Sequence, residues 1–140
     1  MKPILSAVLM WALVLLAGCA SAPPLEPAHG WQLWQEQGCA GRVGPGWAHR
    51  EARGLSGVVV ESGSGATPLK GAVVYARPWR RGQTMNLTAD ADGRFSFAGA
   101  GAGLYEVAAC LPGYNAWRGS VRVDPGASAA GLELGLTRDQ

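Results

Sequence analysis

The sequence has 140 residues, a formal net charge of +2, 21 glycines and 9 prolines. This length is enough for one domain and too short for two, and so much glycine and proline is typical of short strands joined by turns. The mild charge, without a continuous basic stripe, argues against a nucleic-acid-binding protein.

Residues 1–18 have the features of a bacterial signal peptide. Lys2 gives the positive start, and the apolar run from residue 4 to residue 16 is short for a membrane span, which needs about 20 residues. The run leads into Leu16-Ala17-Gly18-Cys19, which resembles the lipobox of bacterial lipoproteins. The alternative is an ordinary cleaved signal peptide with a coincidental cysteine.

The lipobox resemblance implies a lipid anchor at Cys19. In lipoproteins this thiol takes a diacylglycerol, and the new N-terminal amine takes a further acyl chain such as palmitate. The three acyl chains together exceed the two membrane-binding signals that stable anchoring requires. Ala20 follows the cysteine, where an Asp tends to retain a lipoprotein at the inner membrane. The resemblance therefore implies an outer-membrane location facing the periplasm, which is an oxidising compartment.

Residues 19–53 are predicted to be a lipidated tether followed by an irregular segment. The tether, residues 20–28, is rich in alanine and proline and is therefore extended. Beyond it, the i,i+3 spacing of Trp31 and Trp34 and the following Gly38 fit a short helix or turn, and residues 39–53, with Trp47, are glycine-rich without a clear period. We expect these tryptophans to pack on the domain that follows, and the alternative is an exposed aromatic surface.

Seven strands are predicted beyond residue 54, and no helical period of useful length occurs among them. Asp92-Gly93 is a typical hairpin turn, because glycine accepts a positive φ without steric cost. Short alternating runs separated by such turns predict an all-β protein with an antiparallel β-sandwich over residues 54–136. The predicted strands are 55–61, 71–77, 84–88, 94–97, 103–111, 116–123 and 131–136.

Several stretches of this region resemble the carboxypeptidase regulatory-like family. They are Gly54-Leu-Ser-Gly-Val-Val-Val60, Pro68-Leu-Lys-Gly-Ala-Val-Val74, Thr88-Ala-Asp-Ala-Asp-Gly-Arg-Phe95, Gly103-Leu-Tyr105 and Pro112-Gly-Tyr114. The resemblance implies a seven-stranded, transthyretin-like sandwich and a non-catalytic module that serves as a folding partner, spacer or binding surface. The link at residues 99–103 departs from the family, because it is glycine-rich where a short apolar-Pro link is usual. Fold alone does not assign a function.

Two cysteines, Cys39 and Cys110, remain once Cys19 carries lipid. An even pair in an oxidising compartment predicts a disulfide. The alternatives are two unpaired thiols, or one cysteine buried as a small hydrophobic residue. Strand alternation places Cys110 on the face opposite Tyr105 and Val107, which points away from the sandwich core. We expect the overlying N-terminal segment, with its tryptophans, to reach Cys110 on that face.

Two loops resemble ligand sites but are better explained as backbone features. Asp90 and Asp92 resemble the start of a calcium-binding loop, but Gly99 occupies the position of its closing Glu, so a turn is the better interpretation. The Gly99–Gly103 stretch lacks the lysine and the following helix of a phosphate-binding loop, so we interpret it as a flexible link. No metal site and no cofactor are predicted.

No catalytic site is predicted either. Trp117-Arg-Gly-Ser120 resembles the C-terminal tetrapeptide of the transthyretin-like hydroxyisourate hydrolases, which acts together with two histidines and an arginine. Here a further strand follows it, and the two histidines, His29 and His49, are predicted to be solvated loop residues outside the sandwich. A nucleophile needs a neighbouring base, so we interpret this resemblance as a coincidence.

The candidate binding patch lies between the second and third predicted strands. It consists of Arg77, Trp79, Arg80 and Arg81, and Pro78 and Gly82 keep the loop out of the sheet interior. A tryptophan among arginines is the composition enriched where proteins bind one another. The alternative is a solvated hairpin tip with Trp79 folded back over the edge of the sandwich.

The leading functional prediction is an outer-membrane lipoprotein that presents a β-sandwich to an envelope protein. The second is a carbohydrate-binding module for peptidoglycan or surface polysaccharide, which requires several exposed and coplanar tryptophans. The third is a small hydrolase like the hydroxyisourate enzymes, which the lack of histidines in the predicted sandwich disfavours. We therefore expect a membrane-anchored, non-enzymatic protein with no nucleic-acid partner.

Overall fold

The computed structural model describes residues 46–63, 65–79 and 82–139. This part of the chain is all-β, with nine strands and no helix, and so it has no helix long and apolar enough to cross a membrane. The strands are β1 (Ala48–Ala52), β2 (Ser56–Glu61), β3 (Val73–Pro78), β4 (Met85–Thr88), β5 (Arg94–Ser96), β6 (Gly103–Cys110), β7 (Tyr114–Asn115), β8 (Trp117–Val123) and β9 (Leu132–Arg138).

The strands form two sheets that share one core, as expected of a β-sandwich. The five-stranded sheet has the order β1-β8-β6-β3-β4, and the four-stranded sheet has the order β5-β2-β9-β7. Val74 and Val107 from the first sheet and Val59 and Leu134 from the second are completely buried in the same cluster. The two inner faces therefore pack together, and this packing fixes the position of the strands whose outer faces carry the candidate site.

The prediction of seven antiparallel strands is wrong in two respects. All seven predicted strands are present, but β1 and β7 are additional, and both sheets are mixed because β1 pairs with β8 and β2 pairs with β9 in parallel. β7 is too short to show an alternation, and β1 is an edge strand whose His49, Arg50 and Glu51 are exposed. Side-chain alternation identifies a strand but carries no information on the direction of its neighbour.

β1 also changes the N-terminal boundary of the sheet. Its residues belong to the segment 19–53 that was predicted to be irregular, but they pair with Gly119 to Val123 of β8. Gly119 allows this close approach, because a Cβ atom there would lie 2.4 Å from the carbonyl oxygen of Ala48. The sheet therefore begins before residue 54.

The turn predicted at Asp92-Gly93 is confirmed. Asp90 Oδ1 accepts hydrogen bonds from the backbone N–H groups of Asp92 and Arg94, each at 2.9 Å. Gly93 has a φ of 71°, and a Cβ atom there would lie 2.6 Å from the carbonyl oxygen of Val59. The carboxylate that resembled a calcium ligand is thus a turn cap that supports the strand pairing beside it.

The glycine-rich link 99–103 is attached to the sandwich at one defined point. The Tyr105 hydroxyl donates a hydrogen bond of 2.8 Å to the carbonyl oxygen of Gly101. Tyr105 is a buried core residue of β6, so this bond joins the middle of the link to a rigid element.

Candidate binding surface

The outer face of the five-stranded sheet, which points away from the sandwich core, carries a row of polar side chains that includes the predicted site residue Arg77. One row of directly paired residues runs across four strands of this sheet: His49 on β1, Ser120 on β8, Glu106 on β6 and Arg77 on β3. Paired residues of neighbouring strands project to the same face. The row crosses the sheet halfway along β6 and divides its outer face into two ends.

Arg77 and Glu106 form an ion pair within this row. Arg77 Nη2 lies 2.8 Å from Glu106 Oε2, and the side chains are 17% and 0% exposed. A carboxylate with no exposure to water requires a cation and hydrogen bonds to remain charged. Arg77 is therefore held against the sheet by Glu106, which distinguishes it from the solvated arginine expected in a loop.

His49 and Ser120 are also in contact. His49 Nδ1 lies 2.5 Å from Ser120 Oγ, with the histidine exposed and the serine buried. His49 is exposed as predicted, but the prediction that it lies in a loop outside the sandwich is wrong, because it belongs to β1 and pairs with β8. His29 lies outside the described residues.

The row does not have the arrangement of a catalytic triad. A triad places the acid against the histidine, where it orients the imidazole. Here the order along the row is His49, Ser120, Glu106, and the Glu106 carboxylate binds Arg77 on the far side from His49. The contact between Ser120 and His49 therefore orders the surface without activating the serine in that manner.

Trp79 of the predicted patch packs against Trp47. Their ring centroids lie 6.1 Å apart at an interplanar angle of 76°, and both residues are half-buried. The backbone N–H of Trp79 donates to the Leu104 carbonyl oxygen at 2.9 Å, so the hydrogen-bond ladder between β3 and β6 continues as far as Trp79. Arg80 and Arg81, the other members of the predicted patch, lie outside the described residues.

Two shallow depressions meet at Leu104, next to Trp79. One encloses about 300 Å³, and the other encloses about 400 Å³. The first is lined by His49, Arg50, Glu51, Leu104, Ser120 and Arg122. The second is lined by Pro78, Trp79, Ala102, Gly103, Leu104 and Tyr105.

We name the group His49, Trp79, Leu104 and Arg122 the Leu104 surface; His49 and Arg122 are exposed, and Trp79 and Leu104 are half-buried. It combines a half-buried leucine, an aromatic rim and an exposed arginine, which is the composition enriched at protein interfaces. Leu104 and Arg122 were not predicted to be site residues, and His49 was predicted only as a solvated loop residue. The alternation that places Tyr105 inward also places Leu104 outward, so the sequence pattern did indicate an apolar side chain on the outer face at this position.

The opposite end of the same face is apolar. Cys110 and Ala116 are buried there in a small cluster separate from the main core, with Tyr75 packed against it. Ala108, on the same face of β6, is also completely buried. The prediction that Cys110 points away from the core is confirmed. We name Tyr75, Ala108, Cys110 and Ala116 the Cys110 surface.

Several predicted residues fall outside the described part of the chain. These are Cys19, Cys39, Trp31 and Trp34, so the lipid anchor, the Cys39–Cys110 disulfide and the packing of these two tryptophans remain predictions. Within residues 46–63, 65–79 and 82–139, no group of three or more His, Cys, Asp or Glu side chains is arranged to hold a metal ion.

A second polar cluster lies on the four-stranded sheet, away from the Leu104 surface. Arg138 of β9 donates a hydrogen bond to Glu61 of β2, and its guanidinium lies 5.9 Å from the centre of the Tyr114 ring. The hydrogen bond and charge of Glu61 raise the pKa of Arg138. This cluster joins β2, β9 and the short β7.

Comparison with known proteins agrees with this architecture. Residues 54–137 match the family model of the carboxypeptidase regulatory-like domain. No curated protein shows significant similarity to the chain. The matched range contains Arg77, Trp79, Leu104, Glu106 and Arg122, whereas β1 with His49 lies before it.

Proposed function

The chain belongs to the carboxypeptidase regulatory-like domain family, and we propose that it is an outer-membrane lipoprotein that presents its β-sandwich to an envelope protein. Domains of this family are typically non-catalytic. Two features support the proposal: the lipobox-like sequence that ends at Cys19, and the Leu104 surface of the sandwich.

The observation that carries the binding part of the proposal is the pair of depressions that meet at Leu104. An apolar side chain between two shallow hollows offers a partner an anchor point, and Trp79 and Arg122 provide an aromatic and a charged rim. The ion pair of Arg77 with Glu106 and the contact of His49 with Ser120 hold the floor of this surface in one arrangement. Preformed surfaces of this kind lower the entropy cost of association.

The same geometry favours a protein partner over a glycan. A carbohydrate-stacking platform requires exposed, coplanar rings, but the Trp47 and Trp79 rings are steeply inclined at 76° and half-buried. Their edge-to-face contact instead stabilises the rim of the Leu104 surface. We therefore place the envelope protein first and the carbohydrate module second.

Crosslinking in intact cells tests the proposal. A tagged full-length protein is compared with Leu104→Gln, Arg122→Gln and a Trp79/Arg80/Arg81→Ala variant, and captured proteins are identified by mass spectrometry. Glu133→Gln is the matched control, because Glu133 is exposed on the other sheet. We expect one envelope protein with the wild type and the control, and its loss in the three variants.

Equal capture by all variants would show that the partner binds elsewhere. Capture of no specific protein by the wild type, combined with quenching of tryptophan fluorescence by peptidoglycan fragments, would support the carbohydrate module instead.

A further inference from the structure

Ala108, Cys110 and Ala116 of the Cys110 surface are buried even though they lie on the outer face of the sandwich. β6 is buried continuously from Tyr105 to Cys110, so its inward and its outward residues are both withdrawn from water. A strand of an antiparallel sheet that has water on one side alternates buried and exposed residues, whereas a strand covered on both faces does not. A second layer therefore covers this end of the sheet.

We infer that residues 31–45 of the same chain form this layer, and that a disulfide between Cys39 and Cys110 holds it in place. The inference rests on the export stated in the proposed function, because the bond requires an oxidising compartment. It goes further than that proposal, because it assigns the two ends of one face to different occupants. The Leu104 surface remains open to a partner, and the Cys110 surface is taken by the chain itself.

The direction of β1 brings the preceding residues to the correct end of the sheet. β1 runs parallel to β8, and Ala48 pairs with Gly119, which in turn pairs with Val107. Continuing this register backwards along β1 leads towards the Cys110 end of β6 and away from Leu104. The chain that precedes Gly46 therefore starts beside the Cys110 surface.

The length of the intervening chain is sufficient. Cys39 precedes Gly46 by seven positions, which span up to about 24 Å at roughly 3.4 Å per residue. β6 is separated from β1 by β8 alone, and adjacent strands lie about 4.8 Å apart, so the distance across the sheet is about 10 Å. Cys39 can reach Cys110 only by carrying the chain over β8.

The composition of the segment suits this cover. Trp31, Leu33, Trp34 and Val43 supply apolar side chains for a surface made of Tyr75, Ala108, Cys110 and Ala116.

The disulfide forms by exchange with an oxidised dithiol protein. Both thiols lose their protons, their sulfurs join, and the two electrons reduce the disulfide of the oxidant to two thiols.

Peptide mapping of the full-length protein, purified from cell envelopes under alkylating conditions, tests the bond. We expect the Cys39 peptide to be joined to the Cys110 peptide, and both cysteines to become reactive only after reduction. Alkylation of both cysteines without prior reduction would overturn the inference. Because this readout needs no partner, a mapped disulfide with failed crosslinking contradicts only the proposed function, and free thiols with successful crosslinking contradict only this inference.

A second measurement tests the covering layer. Quenching of tryptophan fluorescence by iodide is recorded for each protein with and without the paired substitutions Trp31→Phe and Trp34→Phe. The difference in quenching between the two reports on the exposure of these two tryptophans. We expect this difference to be small in the oxidised protein and to rise in Cys39→Ser, which retains the sandwich residues. Strong quenching of the two tryptophans in the oxidised wild type would contradict a docked segment.

Discussion

Trp47 packs its ring edge to face against the ring of Trp79, with the centroids 6.1 Å apart, although 31 residues separate the two in the sequence. Trp47 precedes the edge strand β1, and Trp79 follows β3, with β8 and β6 between them in the sheet. The pair therefore spans the outer face and links the N-terminal segment to the predicted binding patch.

This pair predicts an energetic coupling between the two tryptophans. Edge-to-face pairs contribute about 1 kcal/mol beyond the area that they bury. A double-mutant cycle compares Trp47→Ala, Trp79→Ala and the double variant with the wild type. Urea unfolding of these four proteins should give a coupling energy of about 1 kcal/mol. Strictly additive losses would show that the two rings stabilise the protein independently.

The ion pair between Arg77 and Glu106 predicts a large effect of a single substitution. Glu106→Ala removes the carboxylate that faces the Arg77 guanidinium in a buried setting, and breaking such a pair costs about 3 kcal/mol or more. Urea unfolding gives the change in the free energy of unfolding. Glu133→Ala is the control, because an exposed carboxylate changes stability by less than about 0.5 kcal/mol. Equal losses for the two variants would refute the structural role of the pair.

Gly57 is predicted to tolerate no side chain. A Cβ atom at this position would lie 2.0 Å from the carbonyl oxygen of Leu132, so Gly57→Ala forces β2 and β9 apart. We expect a loss of about 3 kcal/mol, at the upper end of overpacking effects. Gly101→Ala provides the comparison, because a Cβ atom there meets nothing within 4 Å. A thermal unfolding midpoint lowered in Gly57→Ala and preserved in Gly101→Ala is the expected result.

Asp90 is predicted to act through hydrogen bonding and not through metal binding. Asp90→Ala removes the acceptor for two backbone N–H groups and should destabilise the protein by about 1–2 kcal/mol. Asp90→Asn retains a carbonyl oxygen and should recover most of this loss. Added calcium should leave the unfolding midpoint of the wild type unchanged, and a calcium-dependent rise would contradict the turn interpretation.

Cys19 is predicted to anchor the protein to the membrane. Cys19→Ser removes the thiol that takes the lipid, so incorporation of radiolabelled palmitate should be lost and the protein should leave the membrane fraction. Ala20→Asp tests the location separately, because it should shift the lipidated protein to the inner membrane. Palmitate labelling retained in Cys19→Ser would exclude this cysteine as the attachment site.

Local features of the fold were predictable because they depend on neighbouring residues. The seven main strands, the turn at Asp90 to Arg94 and the outward direction of Cys110 all follow from alternation and from glycine placed where φ is positive. β1 and β7 were missed for the same reason, since an exposed edge strand and a two-residue strand show no alternation.

The candidate surface was only partly predictable. The sequence singled out Arg77 and Trp79 by composition, but Leu104, His49 and Arg122 belong to three other strands and have no common motif. The ion pair of Arg77 with Glu106 could not be predicted either. Alternation along the otherwise apolar β6 indicates which face of the sheet Glu106 is on, but it does not indicate which residue of the neighbouring strand lies beside it.

By itself, the sequence determined where seven of the nine described strands lie, which of their faces is apolar and where the chain turns, because these properties are set by residues within a few positions of one another. The tertiary structure alone decided that β1 joins β8, that β2 and β9 run parallel, and that His49, Ser120, Glu106 and Arg77 form one row. Such relationships depend on the register between distant strands, and that register is fixed only when both sheets close over a shared core.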